Sequence, residues 1–335
     1  MYRVSVFGPV VSRRLGVSLG VCTVPLKTCS YSCVYCQLGP TPRRVVVRRP
    51  YGWPEAVAEA VSSYLERLVG EWGGGVDYVT FIGYGEPTLD SMIGRAAEAV
   101  KSLGLRVAVF TNSSTLPGSL EDLLVFDLVS VKLDAADEDT WARINRPHPL
   151  LRLDTVLGGL EELAAARRGV LLTETMLVAG VNDSATALKR VAERLAGLNP
   201  LKAYISLPLR PPAEPWVRPP QPRRVVEAYM VFRERLGERV EILGRLEEPR
   251  VGAAAGDPVE ALERTASMHP LRLREALGIL ERMGADPGLL DRLVSEGRLV
   301  RVEYLGEVFI LAAPHGWGGG GGAVHSEAHH RPHRL

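Results

Sequence analysis

From about residue 54 the chain alternates between two hydrophobic periods. The run "PEAVAEAVSSYLERLV" repeats apolar residues at helical spacing and begins with a proline suited to a first turn. "DYVTFIG" follows as a short buried strand, then helix "DSMIGRAAEAVKSLG", closed by Gly104, and strand "RVAVFTN". The pattern continues with helix "SLEDLLVF", strand "LVSVKLD", helix "DTVLGGLEELAAARRG", strand "VLLTETMLV", helix "SATALKRVAERLAG" and strand "AYISLPL". With "VSLGVCTV" ahead of them, six strands are predicted. Such alternation implies an α/β fold with parallel strands and right-handed crossovers, either an open doubly wound sheet or an incomplete barrel. In both, ligands collect at the carboxyl ends of the strands.

The pattern changes near residue 247. We expect a core domain over residues 1–246, a linker over 247–256 and a small second unit over 257–313. In that unit, helical segments precede "RLVRVEYLGEVFILA", which reads as a hairpin turning near Leu305 and Gly306. Helices followed by a hairpin suggest a winged helix. Residues 314–335 are glycine-rich and then histidine-rich, which predicts a disordered tail.

Composition adds one constraint. With 46% hydrophobic and 24% charged residues the chain is ordinary globular protein, and neither a membrane span nor a signal peptide is legible. A cytoplasmic protein is expected, and in a reducing compartment clustered cysteines serve metal or redox chemistry rather than disulfides. The net charge of +1 announces no polyanionic partner. Arginine supplies nearly all the positive charge, and lysine occurs only at 27, 101, 132, 189 and 202.

The candidate chemistry lies at the strand ends. "KTCSYSCVYCQLG" carries Cys29, Cys33 and Cys36, three of the chain's four cysteines. Structural zinc needs four protein ligands, and the spare Cys22 sits inside the apolar run "GVCTV". A [4Fe-4S] cluster with three irons on thiolates and one open iron needs no fourth. "GYGEPTL" ends the next strand, "FTNSS" the one after, and "RPPAE" follows the sixth. In "VSVKLDA", Ser130, Lys132 and Asp134 share one face of a strand.

The C-x3-C-x2-C spacing, with Tyr35 before the last cysteine, resembles the radical S-adenosylmethionine (SAM) superfamily. The resemblance implies a partial (β/α)6 barrel, a [4Fe-4S] cluster on Cys29, Cys33 and Cys36, and SAM as cofactor. "GYGEP" is similar to the superfamily's Gly-Gly-Glu motif, with Tyr84 at the first glycine position and Gly85, Glu86 and Pro87 following. Glu86 and nearby carbonyls are then expected to receive the SAM ammonium, although Pro87 and Asp90 also suit an ordinary turn. "FTNSS" is similar to a Thr-Asn-Gly segment, placing Asn112 near the cofactor with Ser113 in the glycine position. Lys132, Asp134 and Asn182 are further cofactor candidates, and Arg210 and Glu214 are substrate candidates.

The opening "FGPVVSRRLGVSLG" together with "RPPAE" resembles iron-sulfur oxidoreductases related to wyosine synthases. The implied reaction is reductive cleavage of SAM to a 5′-deoxyadenosyl radical that abstracts hydrogen from a substrate, using a low-potential electron donor. One spare cysteine excludes the second, three-cysteine cluster of the tRNA-modifying members. RNA modification nevertheless stays open beside a small-molecule or protein substrate, because of the basic stretches "PRRVVVRRP" and "RPPQPRR". An iron-sulfur regulator using the winged helix on DNA fits poorly. Residues 257–312 carry seven arginines and ten acidic residues, a net charge of −3, where DNA reading needs a basic face.

Overall fold

The computed structural model describes residues 4–244 apart from 13 and 73, and residues 257–313 apart from 269. The linker and the C-terminal tail lie outside the described residues. The chain opens with a hairpin, β1 (Ser5–Ser12) and β2 (Gly16–Cys22). It then alternates through α1 (Pro54–Trp72), β3 (Tyr78–Phe81), α2 (Ile93–Lys101), β4 (Val107–Thr111), α3 (Leu116–Leu123) and β5 (Leu128–Lys132). Two helices follow, α4 (Glu138–Ile144) and α5 (Leu153–Ala166), then β6 (Val170–Met176), α6 (Ala185–Leu198), β7 (Lys202–Ser206), α7 (Pro222–Leu236) and β8 (Val240–Leu243).

All eight strands lie in one sheet in their sequence order, parallel from β2 to β8, with β1 antiparallel on the edge. A doubly wound sheet would reverse its order at a switch point. This one never does, so each right-handed crossover turns the sheet the same way and it curls into a partial barrel. Its two faces carry separate apolar sets. Val79, Phe81, Val109, Val131 and Ile205 pack outward with the helices, whereas Tyr78, Ala108, Leu128, Leu172 and Tyr204 cluster on the concave side.

The six strands expected become eight. β1 is hidden in the sequence because Gly8 and Pro9 interrupt it, where the pairing slips between Phe7 and Val10. β8 is only four residues long, too short for a periodic signal. α7 was read only as a basic stretch, yet Pro222 opens it in the first turn and Val225, Ala228, Phe232 and Leu236 are buried at helical spacing.

The second unit comprises α8 (Pro258–Met268), β9 (Leu271–Arg272), α9 (Leu273–Arg282), α10 (Gly288–Ser295), β10 (Leu299–Tyr304) and β11 (Glu307–Ala312). The expected hairpin forms. Tyr304 pairs with Glu307, and Leu305 and Gly306 both take positive φ, the two-residue turn whose twist suits antiparallel strands. Leu271 and Arg272 open "LRLREALGILERMG", one of the helical segments expected, but pair instead with β11 and make a three-stranded sheet. Leu262, Leu271, Leu280, Leu290 and Ile310 form an apolar cluster of their own. No helix among the described residues is long and apolar enough to cross a membrane.

This unit packs against the loops at the carboxyl ends of the barrel strands. Tyr304 donates to the carbonyls of Pro208 (2.7 Å) and Val217 (3.4 Å), Arg210 donates to the Pro270 carbonyl, and the hydroxyls of Tyr84 and Ser267 lie 3.1 Å apart. Burial pushes the Tyr304 hydroxyl up to about 12, partly opposed by the Arg218 guanidinium. Tyr304→Phe would remove a donor from two buried carbonyls, a loss of roughly 1 kcal/mol that lowers Tm by about 2–4 °C. Thermal unfolding measures it, and an unchanged Tm would mean that the contact contributes nothing.

Candidate functional site

The loop that leaves β2 carries the three cysteines and is fixed by backbone bonds on two sides. On one side it caps α4, whose final carbonyls lack partners within the helix. The Val34 N–H donates to Ile144 O (2.9 Å), the Ser32 N–H to Asn145 O (3.0 Å) and the His148 N–H to Ser30 O (2.9 Å). On the other side it is clipped to the loop after β3. The Lys27 N–H donates to Tyr84 O at 2.7 Å, and the Glu86 N–H to Thr28 O at 2.9 Å. Gly85 permits this approach, since a Cβ there would stand 2.0 Å from the Thr28 carbonyl oxygen.

Each of the three sulfurs accepts a side-chain N–H. Asn112 Nδ2 lies 3.5 Å from Cys29 Sγ, Asn145 Nδ2 3.5 Å from Cys33 Sγ, and Lys27 Nζ 3.3 Å from Cys36 Sγ. Burial pushes the Cys29 thiol up to about 12, with the Glu86 charge adding to it, and raises Cys33 as well. A bound metal cation would favour their thiolate forms. Among the described residues no three metal-ligating side chains converge on a point that suits one ion. Three thiols on one loop, each with a side-chain donor, form a donor set that can give one thiolate to each of three irons of a cluster. Cys22 stands apart. It is 1% exposed, its thiol donates to Ile82 O at 3.1 Å, and burial pushes it up to about 12.

Glu86 faces inward. It is 1% exposed, and its Oε1 accepts from the Thr88 N–H (3.1 Å), the Thr88 hydroxyl (2.5 Å) and the Thr111 hydroxyl (2.7 Å), while Oε2 accepts from the Asn112 N–H (2.6 Å). Burial raises its pKa against the pull of these four bonds. Both carboxylate oxygens of Glu86 are thus engaged by the protein's own donors. The turn that Pro87 opens does form, and Glu86 caps it while tying the end of β4 to the loop after β3. Glu86→Gln would set an amide N–H against one of these donors and cost roughly 1–3 kcal/mol. Chemical denaturation tests this, and an unchanged midpoint would show that the carboxylate is not engaged.

Asn112 joins three parts of the site: its amide also donates to Ser30 Oγ (3.1 Å) and its Oδ1 accepts the Ser114 N–H (2.9 Å). Ser113 has φ of +70°, the left-handed region that favours the glycine expected there. The Tyr35 hydroxyl donates to Asp134, whose second oxygen accepts the Met176 N–H at 2.8 Å, and Asn145 Nδ2 donates to Asp134 at 2.8 Å. Asp134 therefore fixes the cysteine loop from below. Asn182 is 2% exposed and closes the loop after β6: its Oδ1 accepts the Val178 N–H and its Nδ2 donates to Met176 O and Asp134 O.

Lys132 pairs at 3.0 Å with Glu174, its register partner on the neighbouring strand β6, with its ammonium 5.0 Å from the Tyr35 ring centre. Glu174 also pairs with Arg14 (2.5 Å) and accepts from Ser206 (2.9 Å). Burial alone would raise Glu174, but the Lys132 ammonium and the Arg14 guanidinium hold it down to about 2. Its stabilising contribution is present above the ordinary carboxylate pKa near 4.5 and is lost as pH falls through about 2. Acid unfolding of Glu174→Gln should accordingly be flatter over that interval than that of the unmodified protein. Identical acid profiles would remove Glu174 from the account.

The substrate candidates separate. Glu214 pairs with Arg146, and its N–H bonds to Val34 O at 3.0 Å, so it lies beside the cysteine loop. Arg210 turns to the second unit, donating to Pro270 O with Glu275 3.9 Å away. Asn145, Thr88, Thr111, Glu174 and Lys27 were not singled out from sequence. For Thr88, Thr111, Glu174 and Lys27 the only signal there is residence within several positions of a strand end, which many inert residues share, and Asn145, at the end of α4, lacks even that.

Comparison with known proteins agrees with this geometry. The model of the Radical SAM superfamily matches residues 23–191, from the end of β2 into α6. The chain belongs to the radical SAM superfamily. The UPF0026 protein MJ1312 of Methanocaldococcus jannaschii is 36% identical over 308 residues, 91% of this chain and 95% of that protein. Among solved structures, a radical SAM methyltransferase from Sphaerobacter thermophilus is 21% identical, with 67% of this chain and 66% of that one covered and a TM-score of 0.49. An archaeal TYW1 is 13% identical, with 73% and 80% covered and a TM-score of 0.46. Radical SAM proteins use a [4Fe-4S] cluster and SAM, and the three-thiol loop of this chain has the donor set for such a cluster.

Proposed function

We propose that this protein is a radical SAM enzyme whose Cys29, Cys33 and Cys36 hold three irons of a [4Fe-4S] cluster, leaving the fourth for SAM. The observation that carries the reading is the pairing of three separately hydrogen-bonded thiols with the clipped loop of Tyr84, Gly85 and Glu86. When bound, the cluster and SAM supply one-electron cleavage of the sulfonium and hydrogen-atom abstraction from a substrate. The chain itself supplies orientation and exclusion of water. Glu86 and Asp134 act through what they position: Glu86 the loop that faces SAM, Asp134 the Tyr35 end of the cysteine loop. Lys132, Glu174, Arg14 and Ser206 give the barrel interior a polar lining suited to a small polar substrate, and a low-potential donor supplies the electron.

The test is anaerobic reconstitution. The loaded protein should carry about four irons and four sulfides per chain and, after reduction, convert SAM to 5′-deoxyadenosine and methionine. Protein that takes up no iron would overturn the reading.

RNA as substrate is less favoured by the arginines. Arg44 donates to the carbonyls of Arg146 and Pro147, and Arg48 to Thr88 O and Asp90 O while pairing with Asp122. Arg223 and Arg224 both pair with Glu227. The first stretch is thus partly a strap within the fold, and the arginines of the second have a local carboxylate partner on the exposed face of α7. Residues 257–313 we read as a winged-helix-like module that roofs the strand ends. Its removal is then expected to disturb the site rather than leave it intact.

A further inference from the structure

We propose that Lys27 sets the reduction potential of the cluster, acting as a fixed cation on the Cys36 sulfur. This rests on the cluster assignment made above. The two other sulfurs receive neutral amide donors, from Asn112 and Asn145. Only Cys36 receives an ammonium, at 3.3 Å. The same ammonium donates to Gly39 O at 2.6 Å, and the Gly39 N–H returns to Cys36 O at 3.1 Å, so the turn after Cys36 closes around the lysine head.

Three features show that the placement is built. First, Lys27 has φ of +61°, a left-handed conformation that is unfavourable for a non-glycine residue and persists only where its surroundings enforce it. Its own N–H to Tyr84 O, at 2.7 Å, is part of that enforcement. Second, this chain places arginine at nearly every cationic position, with lysine at only five. A planar guanidinium matches carboxylates, whereas a compact ammonium with three rotatable donors can serve a sulfur and a carbonyl together. Third, the ammonium is held by a sulfur and a carbonyl, and among the described residues no carboxylate forms an ion pair with it. Lys132, by contrast, is neutralised by Glu174 at 3.0 Å and Asp134 at 4.0 Å.

A cation beside a cluster sulfur favours the reduced, more negative state, and hydrogen bonds to sulfur act in the same direction. Lys27 therefore makes the cluster easier to reduce. It is a positioning residue, touching a ligand atom rather than SAM or substrate.

The experiment compares anaerobically reconstituted full-length protein with Lys27→Met and Lys27→Arg by iron count and by electrochemical titration followed by electron paramagnetic resonance. Lys27→Met should load iron and shift the midpoint potential to more negative values, whereas Lys27→Arg should stay nearer the unmodified protein. A fully loaded Lys27→Met with unchanged midpoint overturns the inference. Should Lys27→Met fail to load, the unmodified protein decides: with lysine labelled by nitrogen-15, the reduced cluster should show a nitrogen-15 coupling that Lys27→Arg lacks. Absence of that coupling, or its survival in Lys27→Arg, also overturns it. Unmodified protein that binds no iron would overturn the cluster assignment itself, and the inference with it.

Discussion

Alanine at Cys29, Cys33 or Cys36 is expected to leave reconstituted protein without a stable [4Fe-4S] cluster and with SAM cleavage at background, whereas Cys22→Ala should keep both. Each of the three thiolates would hold a separate iron, so none is redundant. No neighbour can swing in as a substitute, because the loop backbone is fixed between α4 and the loop after β3. Cys22 is the remaining cysteine, but its sulfur is buried against Gly83, where a Cβ would meet it at 1.8 Å, and it bonds to Ile82 O. Its loss opens a small apolar void and should cost roughly 1 kcal/mol. Iron and sulfide assays with 5′-deoxyadenosine formation test the contrast. A Cys22→Ala protein that folds with near-normal stability but holds no cluster would mean that the three-thiolate assignment is wrong.

Gly85→Ala should be nearly as damaging, through the fold rather than through a ligand. The added Cβ would stand 2.0 Å from the Thr28 carbonyl oxygen and 2.8 Å from its carbon, both backbone atoms that cannot rotate aside. The cysteine loop and the loop after β3 must separate, which breaks Lys27 N–H to Tyr84 O and Glu86 N–H to Thr28 O. Overpacking together with two buried backbone groups left unpaired should cost roughly 3 kcal/mol or more. We expect a lowered denaturation midpoint and a reduced iron content in the same variant. Gly83→Ala provides the comparison. Its clash is with a side chain, the Cys22 sulfur, so adding Cys22→Ala should recover part of the loss even though φ of +137° remains unfavourable. Gly85→Ala should not be rescued by any side-chain truncation, and stability close to that of the unmodified protein would show that the two loops are not clamped.

Much of the architecture is legible in the chain because its signals are local. Strand and helix periods, glycine closing α2, and Leu305-Gly306 turning the hairpin each depend on a few neighbouring residues. Where a local signal is broken, reading fails. Gly8 and Pro9 conceal β1, and the helical pattern of residues 271–284 conceals the two residues that pair with β11 instead. Glu86 illustrates another kind of difficulty. Its motif position is local, but its direction is set by donors from Thr88 and, across the sheet, from Thr111 and Asn112. Sequence alone offers no reason to bring those residues together around one carboxylate.

The sequence by itself determined the α/β alternation, the placement of unusual residues at strand ends and the three-thiol loop that marks a radical SAM protein. These follow from spacing along the chain, which backbone geometry converts directly into faces and turns. Only the tertiary structure decided which charged groups are free to act. Arg44 and Arg48 became straps, Lys132 and Glu174 cancelled one another inside the barrel, and Lys27 kept its charge against Cys36. The physical reason is that the effect of a charge depends on its partners and its burial, and those are fixed by strands and loops that meet only after the sheet has curled.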